Sequence, residues 1–242
     1  MSFTTIDILD IPFTCTTQLD FIKQLELDLN KPQPTFIVTA NPEIVMFAKK
    51  TPSFSNLLKK ADYITADGIG IIKASKKLNT PLPERVTGYD ILCDLLVLAN
   101  KKTYSVYFLG AKEDTLDLAV KNVGKNYPNL KIAGSHHGYF DINDEKIITN
   151  IKNTNPDFIF VALGFPRQEE WIVQAKDEIG KGIFIGVGGS FDVLAGTVKR
   201  APVFWQKLHL EWFYRLLKQP SRFKRMLAIP KFMLAINKEN RK

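Results

Sequence analysis

Residues 158–192 read FIFVALGFPRQEEWIVQAKDEIGKGIFIGVGGSFD. Phe158–Leu163 is apolar on both faces, as expected of a strand buried in a parallel sheet. Gly164-Phe165-Pro166 then turns the chain. Arg167–Ile179 follows with a helical pattern, and Gly182–Val187 is a second apolar run that ends at Gly188-Gly189. Strand, helix and strand in this order predict a parallel pair joined by a right-handed crossover.

The same alternation continues outward from this unit. Thr4–Leu9, Thr35–Ala40, Tyr63–Ala66, Tyr104–Leu109 and Lys131–Ser135 read as further strands. Thr17–Leu29, Gly68–Leu78, Gly88–Asn100, Glu113–Asn126 and Asp144–Asn153 read as helices. The expected fold is therefore α/β: a doubly wound, Rossmann-like parallel sheet. No internal repeat or low-complexity stretch interrupts it.

The chain has 242 residues, 45% hydrophobic and 24% charged, which suits one α/β domain plus an appendage and excludes disordered or collagen-like classes. Its 33 basic and 25 acidic residues are unevenly spread, for Val198–Lys242 alone carries 12 basic and 2 acidic. A near-neutral body, 1–197, thus carries a basic helical appendage, 198–242. Such asymmetry points to a polyanion or an anionic membrane surface. Cys15 and Cys93 lack the spacing of a disulfide framework or a cysteine zinc site, which fits a reducing cytoplasm. The N-terminal MSFTTIDILDIPFT lacks the basic start of a signal peptide, and no apolar run approaches the ~18 residues that span a bilayer. The expectation is a cytoplasmic protein, peripheral on the membrane.

In a parallel sheet, ligands bind beyond the carboxyl ends of the strands. The segments there are rich in glycine and polar side chains: Thr39-Ala40-Asn41-Pro42-Glu43, Ala66-Asp67-Gly68, His136-His137-Gly138-Tyr139, Gly164-Phe165-Pro166-Arg167-Gln168 and Gly188-Gly189-Ser190. Glycines let a ligand approach the backbone, and helix N-termini offer free N–H donors, as a phosphorylated ligand requires. Asp67 reads equally as a helix N-cap or as a general base in the cleft. Thr39 and Asn41 have the same structural alternative, a strand end followed by a proline-initiated helix. Arg85, in Pro-Leu-Pro-Glu-Arg-Val-Thr-Gly at 81–88, is either a surface residue or a fork for phosphate. Gln168 is either a solvated first-turn residue or a hydrogen-bonding partner for a sugar or uracil edge, and His136 reads as a polar cleft lining. Gly186–Phe191 fails the dinucleotide fingerprint at its third glycine, which disfavours a nicotinamide enzyme. No D-x-D sequence or metal-spaced histidine cluster occurs, so no metal and no cofactor are expected.

In the appendage, Trp205, Leu208, Trp212 and Leu216 fall on one helical stripe, and Arg215, Lys218, Arg222 and Arg225 repeat at similar spacing, split by Pro220 into two helices. The plain reading is a packed helical subdomain. The sharper one is an interfacial element, with aromatics at headgroup level and cations on anionic lipid. No RNA-binding signature accompanies it, so nucleic acid is not expected.

Taken in order, Thr-x-Asn-x-Glu at 39–43, Ala-Asp-Gly at 66–68, the run at 81–90, His-His-Gly-Tyr-Phe at 136–140, Gly-Phe-Pro-Arg-Gln-Glu at 164–169, Gly-Val-Gly-Gly-Ser-Phe-Asp at 186–192, Arg-Ala-Pro at 200–202 and Glu-Trp-x-Tyr-Arg-Leu at 211–216 resemble the WecG/TagA/CpsF glycosyltransferases, glycosyltransferase family 26. The resemblance implies an inverting, metal-independent transfer of a sugar from a UDP-sugar to a polyprenyl-diphosphate-linked acceptor at the cytoplasmic membrane face, in teichoic acid or surface polysaccharide synthesis. N-acetylmannosamine onto a GlcNAc-bearing lipid is the best-known case; N-acetylmannosaminuronic acid, glucose and glucuronic acid are alternatives. It also implies Asp67 as catalytic base and Thr39 in the donor pocket, with Arg85 and Gln168 in the cleft; Asn41, His136, Gly188 and Gly189, read from the strand-end segments themselves, are the further candidates around the substrates. Arg215, Arg222 and Arg225 of the appendage would complete the site. A homo-oligomer is compatible with this reading, and the rival class is a non-catalytic, membrane-docked nucleotide-sugar-binding module.

Overall fold

The computed structural model describes residues 3–208, 210–218 and 223–240, without the side chains at 203, 207, 215 and 224. It opens with a hairpin, β1 (Thr5–Ile8) and β2 (Ile11–Thr14), followed by α1 (Gln18–Asp28). Then come β3 (Thr35–Ala40), α2 (Pro42–Lys50), α3 (Pro52–Leu58), β4 (Tyr63–Ala66), α4 (Ile69–Lys77), α5 (Gly88–Lys102), β5 (Ser105–Gly110), α6 (Glu113–Asn126) and β6 (Lys131–His136). The body closes with α7 (Glu145–Thr154), β7 (Phe158–Ala162), α8 (Arg167–Ile179), β8 (Ile183–Gly186) and α9 (Ser190–Leu194). Beyond it lie α10 (Val203–Lys207), α11 (Glu211–Lys218), α12 (Phe223–Met226) and α13 (Ala228–Glu239).

Six strands form one sheet in the order β4-β3-β8-β7-β5-β6, and every pairing in it is parallel. The period of two along each strand divides the core into two layers. Phe36, Val38, Ile159, Val161 and Phe184 face α2, α3, α4, α7 and α8. Ile37, Phe108, Phe158, Phe160 and Ile185 face α1, α5, α6 and α9. The β4 edge is shielded by the hairpin, where Thr14 Oγ1 accepts the Ile64 N–H at 3.1 Å; covered edges do not recruit other strands.

The α/β expectation holds, with two differences. The first strand candidate, Thr4–Leu9, pairs antiparallel with β2 and stands outside the main sheet. Pro12 and Thr14 in the short segment 11–14 leave no periodic signal for that partner. The second difference lies in the appendage. Helix α13 packs on α2 and α4, and its Phe232 and Ile236 are fully buried in the layer that also holds Ile44, Val45 and Ile71. The stripe expected from Trp205 to Leu216 is cut, since α10 ends at Lys207 and α11 begins at Glu211.

Candidate active site

A cavity of about 310 Å³ opens at the carboxyl ends of β3, β4, β7 and β8. Its wall includes Thr39, Asn41, Asp67, Arg85, Gln168, Gly188 and Gly189 from the body. Glu211, Trp212, Arg225 and Met226 of the appendage line it from the other side. The appendage thus lines the same cavity as Asp67.

Adjacent strand ends bring the first residues together. Strands β3 and β4 run in register, Thr39 opposite Thr65 and Ala40 opposite Ala66, and the Asp67 N–H reaches the Ala40 carbonyl at 2.9 Å. Asp67 is not the cap of α4; that position belongs to Gly68, at φ +130, in the left-handed region that favours glycine. At Gly70 a Cβ would lie 2.7 Å from Pro42 Cγ, so the start of α4 sits directly on the start of α2. Asn41 performs the capping role, its Oδ1 accepting from Glu43 N at 2.9 Å and Ile44 N at 3.1 Å. Its structural reading is realised, and it lines the cavity as well.

Thr39 is almost fully buried, and its hydroxyl donates to the Gly186 carbonyl at 3.1 Å, tying β3 to the end of β8. A Cβ on Gly88 would lie 2.8 Å from Thr39 Oγ1, so α5 meets β3 here through a glycine. Gln168 is buried, not solvated. Its Oε1 accepts the Gly188 N–H at 3.1 Å, and its Nε2 donates to Glu169 Oε1 at 2.8 Å. Gly188, at φ +51, makes the turn that presents Gly189 and α9 to the cavity.

Three arginines line the cavity among the described side chains, and each faces a carboxylate. Arg225 Nε lies 3.0 Å from Glu43 Oε1, Arg85 Nη2 lies 3.7 Å from Glu211 Oε2, and Arg200 Nη2 lies 2.7 Å from Asp90 Oδ1. Arg200 also approaches Glu211 Oε1 at 3.9 Å and stacks over the Tyr89 ring at 4.8 Å. Burial raises the Tyr89 hydroxyl well above its ordinary range. The sequence assigns no role to Arg200 or Glu211 and assigns Trp212 to the interfacial stripe, yet all three line the cavity.

The structure does not bring every expected residue to this cavity. His136 ends β6, at the opposite edge of the sheet from β4, and is absent from the wall. Three strand spacings separate β6 from β8, about 14 Å at ~4.8 Å each. There its Nδ1 lies 2.9 Å from the His137 carbonyl and its ring packs edge-on against Phe140. The sequence expects His136 beside the substrates, whereas the structure places it away from this cavity's wall, on the β6 edge. Arg215 belongs to α11, but its side chain lies outside the description, and Arg222 lies outside the described residues. Among the described residues, no group of three or more His, Cys, Asp or Glu side chains is placed to hold a metal ion.

Comparison with known proteins adds two findings. The model of one family, the glycosyl transferase WecG/TagA/CpsF family, matches residues 6–242. Two curated relatives, both named N-acetylglucosaminyldiphosphoundecaprenol N-acetyl-beta-D-mannosaminyltransferase, come from Staphylococcus aureus strains MW2 and NCTC 8325 / PS 47. Each is 40% identical to this chain over 239 residues, covering 98% of the chain and 94% of the relative.

Proposed function

The chain belongs to the WecG/TagA/CpsF glycosyltransferase family, and from that premise we propose that it transfers N-acetylmannosamine from a UDP-sugar to N-acetylglucosaminyl-diphospho-undecaprenol, as an early step in cell-wall teichoic acid or related polysaccharide synthesis. The observation that carries this reading is the shared cavity: a carboxylate at the sheet rim, Asp67, and guanidinium and aromatic groups of the appendage line one space.

The chemistry requires two operations. An acceptor hydroxyl must lose its proton as its oxygen bonds to C1 of the donor sugar. The bond from C1 to the diphosphate oxygen must break, with its electron pair leaving on UDP. Asp67 takes the hydroxyl proton, a role worth roughly 10²–10⁴ in rate. A single displacement from the opposite face inverts the anomeric centre. Arginines neutralise the departing diphosphate; they stay charged and match phosphate oxygens with two parallel donors. Arg225 and Arg85 line the cavity and serve this purpose; the family resemblance assigns the same task to Arg215 and Arg222. Because Glu43 and Glu211 face Arg225 and Arg85 in this structure, an incoming diphosphate competes with those carboxylates. Thr39, Asn41, Gln168 and the Gly188-Gly189 turn form the donor pocket.

The acceptor is anchored in a membrane, whereas no described helix is long and apolar enough to cross one. Phe204, Leu208, Phe213, Leu217, Phe223 and Leu227 of the appendage are exposed. With the basic excess of residues 198–242, this surface docks reversibly on anionic lipid at the inner membrane face, each nearby cation contributing on the order of 1 kcal/mol. Docking and catalysis then share one element, which restrains hydrolysis of the donor away from the membrane.

The test is a donor screen with purified protein, a short-chain lipid-diphosphate-GlcNAc acceptor and EDTA throughout. Transfer from UDP-N-acetylmannosamine supports the reading. Transfer from another UDP-sugar alone changes the donor, and nucleotide binding without any transfer makes the chain a binding module.

A further inference from the structure

Glu169 is the most deeply buried carboxylate side chain beside the cavity, 1% exposed, and no cation pairs with it among the described residues. Its Oε1 accepts from Gln168 Nε2 at 2.8 Å, and its Oε2 is buried with no hydrogen-bond partner there. A carboxyl group in such surroundings costs stability that an apolar side chain of similar size would not. What it does contribute is visible one residue back. The two ends of the Gln168 amide are nearly isosteric, so packing alone does not decide which end faces Gly188. Glu169 decides it. A carboxylate oxygen accepts from the NH2 end, which turns Oε1 toward the Gly188 N–H at 3.1 Å. In the flipped amide, NH2 would meet the Gly188 N–H, and the Glu169 carboxyl oxygen would lose the donor that it accepts from. The amide also lies flat on β8, since a Cβ on Gly186 would come within 2.5 Å of Gln168 Nε2.

We propose that Glu169 is a positioning residue for donor binding: through the Gln168 amide it holds the Gly188-Gly189 turn in the shape that receives the nucleotide diphosphate. The inference rests on the reading of the site as a UDP-sugar pocket. Glu169 itself does not line the cavity, so it touches no substrate and acts only through Gln168.

The experiment compares Glu169→Leu and Glu169→Gln in the full chain. The readouts are hydrogen exchange at the Gly188 amide, the dissociation constant for UDP, kinetic constants and thermal stability. The leucine variant is expected to lose protection at Gly188 and to bind UDP about 10-fold more weakly, the scale of one misdirected buried hydrogen bond. Its KM for the donor rises while kcat changes little, and its thermal stability does not fall. Glutamine keeps an acceptor for Gln168 and rescues both protection and affinity. Glu169→Ala repeats the comparison should leucine not be accommodated. Unchanged Gly188 protection and UDP affinity in the leucine or alanine variant would overturn the inference, as would a glutamine variant as impaired as leucine. A wild-type protein that binds no UDP at all contradicts the pocket reading, and this inference falls with it.

Discussion

Arg225 and Glu43 meet at the cavity rim, Nε to Oε1 at 3.0 Å, although 182 positions separate them in the chain. Their side chains are 49% and 28% exposed, so the pair is worth at most about 1 kcal/mol to folding. The firmer hold on the appendage is apolar, through Phe232 and Ile236 of α13. Phe232→Ala is expected to cost about 3–5 kcal/mol in chemical denaturation. Arg225→Ala is expected to cost under about 1 kcal/mol there, while lowering transfer strongly. Equal stability losses in the two variants would contradict this division of roles.

Removing the chain from Ala201 onward uncovers the surfaces of α2 and α4 that α13 covers. The truncated body is therefore expected to fold, to self-associate in sedimentation experiments and to lose transfer. A monomeric truncation with full activity on a water-soluble acceptor would contradict both the packing argument and the role of the appendage.

Gly88 brings α5 so close to Thr39 that a side chain there has no room. A methyl group there meets Thr39 Oγ1 at 2.8 Å and Cγ2 at 3.3 Å. Gly88→Ala is expected to reduce kcat/KM by displacing Thr39, with an overpacking cost of about 1–3 kcal/mol. Thr39→Ser keeps the donor to Gly186 and is expected to retain most activity. An inactive Thr39→Ser with an active Gly88→Ala would show that the hydroxyl is not the relevant group.

Burial pushes the Glu169 carboxyl up from 4.5 to about 7, with Glu170 nearby adding to the shift and the Gln168 hydrogen bond opposing it. The folded protein thus holds a proton that the unfolded chain releases from about pH 4.5 upward. Stability from this group is complete below that pH and is lost as pH rises through about 7. The full difference is on the order of 3 kcal/mol. Glu169→Gln lacks the titration, so its stability advantage over the wild type should grow between pH 4.5 and 7 and level off above. A pH-independent difference in denaturation midpoints would show that the carboxyl is ionised throughout.

The buried strands were legible because a strand covered on both faces is a short unbroken apolar run, as in Phe158–Ala162 and Ile183–Gly186. Proline at the start of α2 announced that helix, and Asn41 its cap. Strand order was not legible. It depends on long-range pairing, so His136 read like Thr39 or Asp67, a polar residue after an apolar run, although β6 lies at the far edge. Gln168 was open to a better reading. It falls on the stripe with Ile172, Ala175 and Ile179, which marks it as inward-facing. Glu169 carried no such mark, being a charged residue beside another in the first turn of α8. The tail showed its charge plainly, but that Phe232 and Ile236 enter the core depends on the unpaired apolar faces of α2 and α4.

The most direct test is transfer of N-acetylmannosamine from UDP to a short-chain lipid-diphosphate-GlcNAc acceptor in EDTA, by wild type and Asp67→Asn side by side with UDP affinity. EDTA-resistant product from the wild type, reduced roughly 10²–10⁴-fold in the variant at unchanged UDP affinity, is the expected result. Near-normal turnover by Asp67→Asn, or product that appears only with a divalent ion, would contradict it.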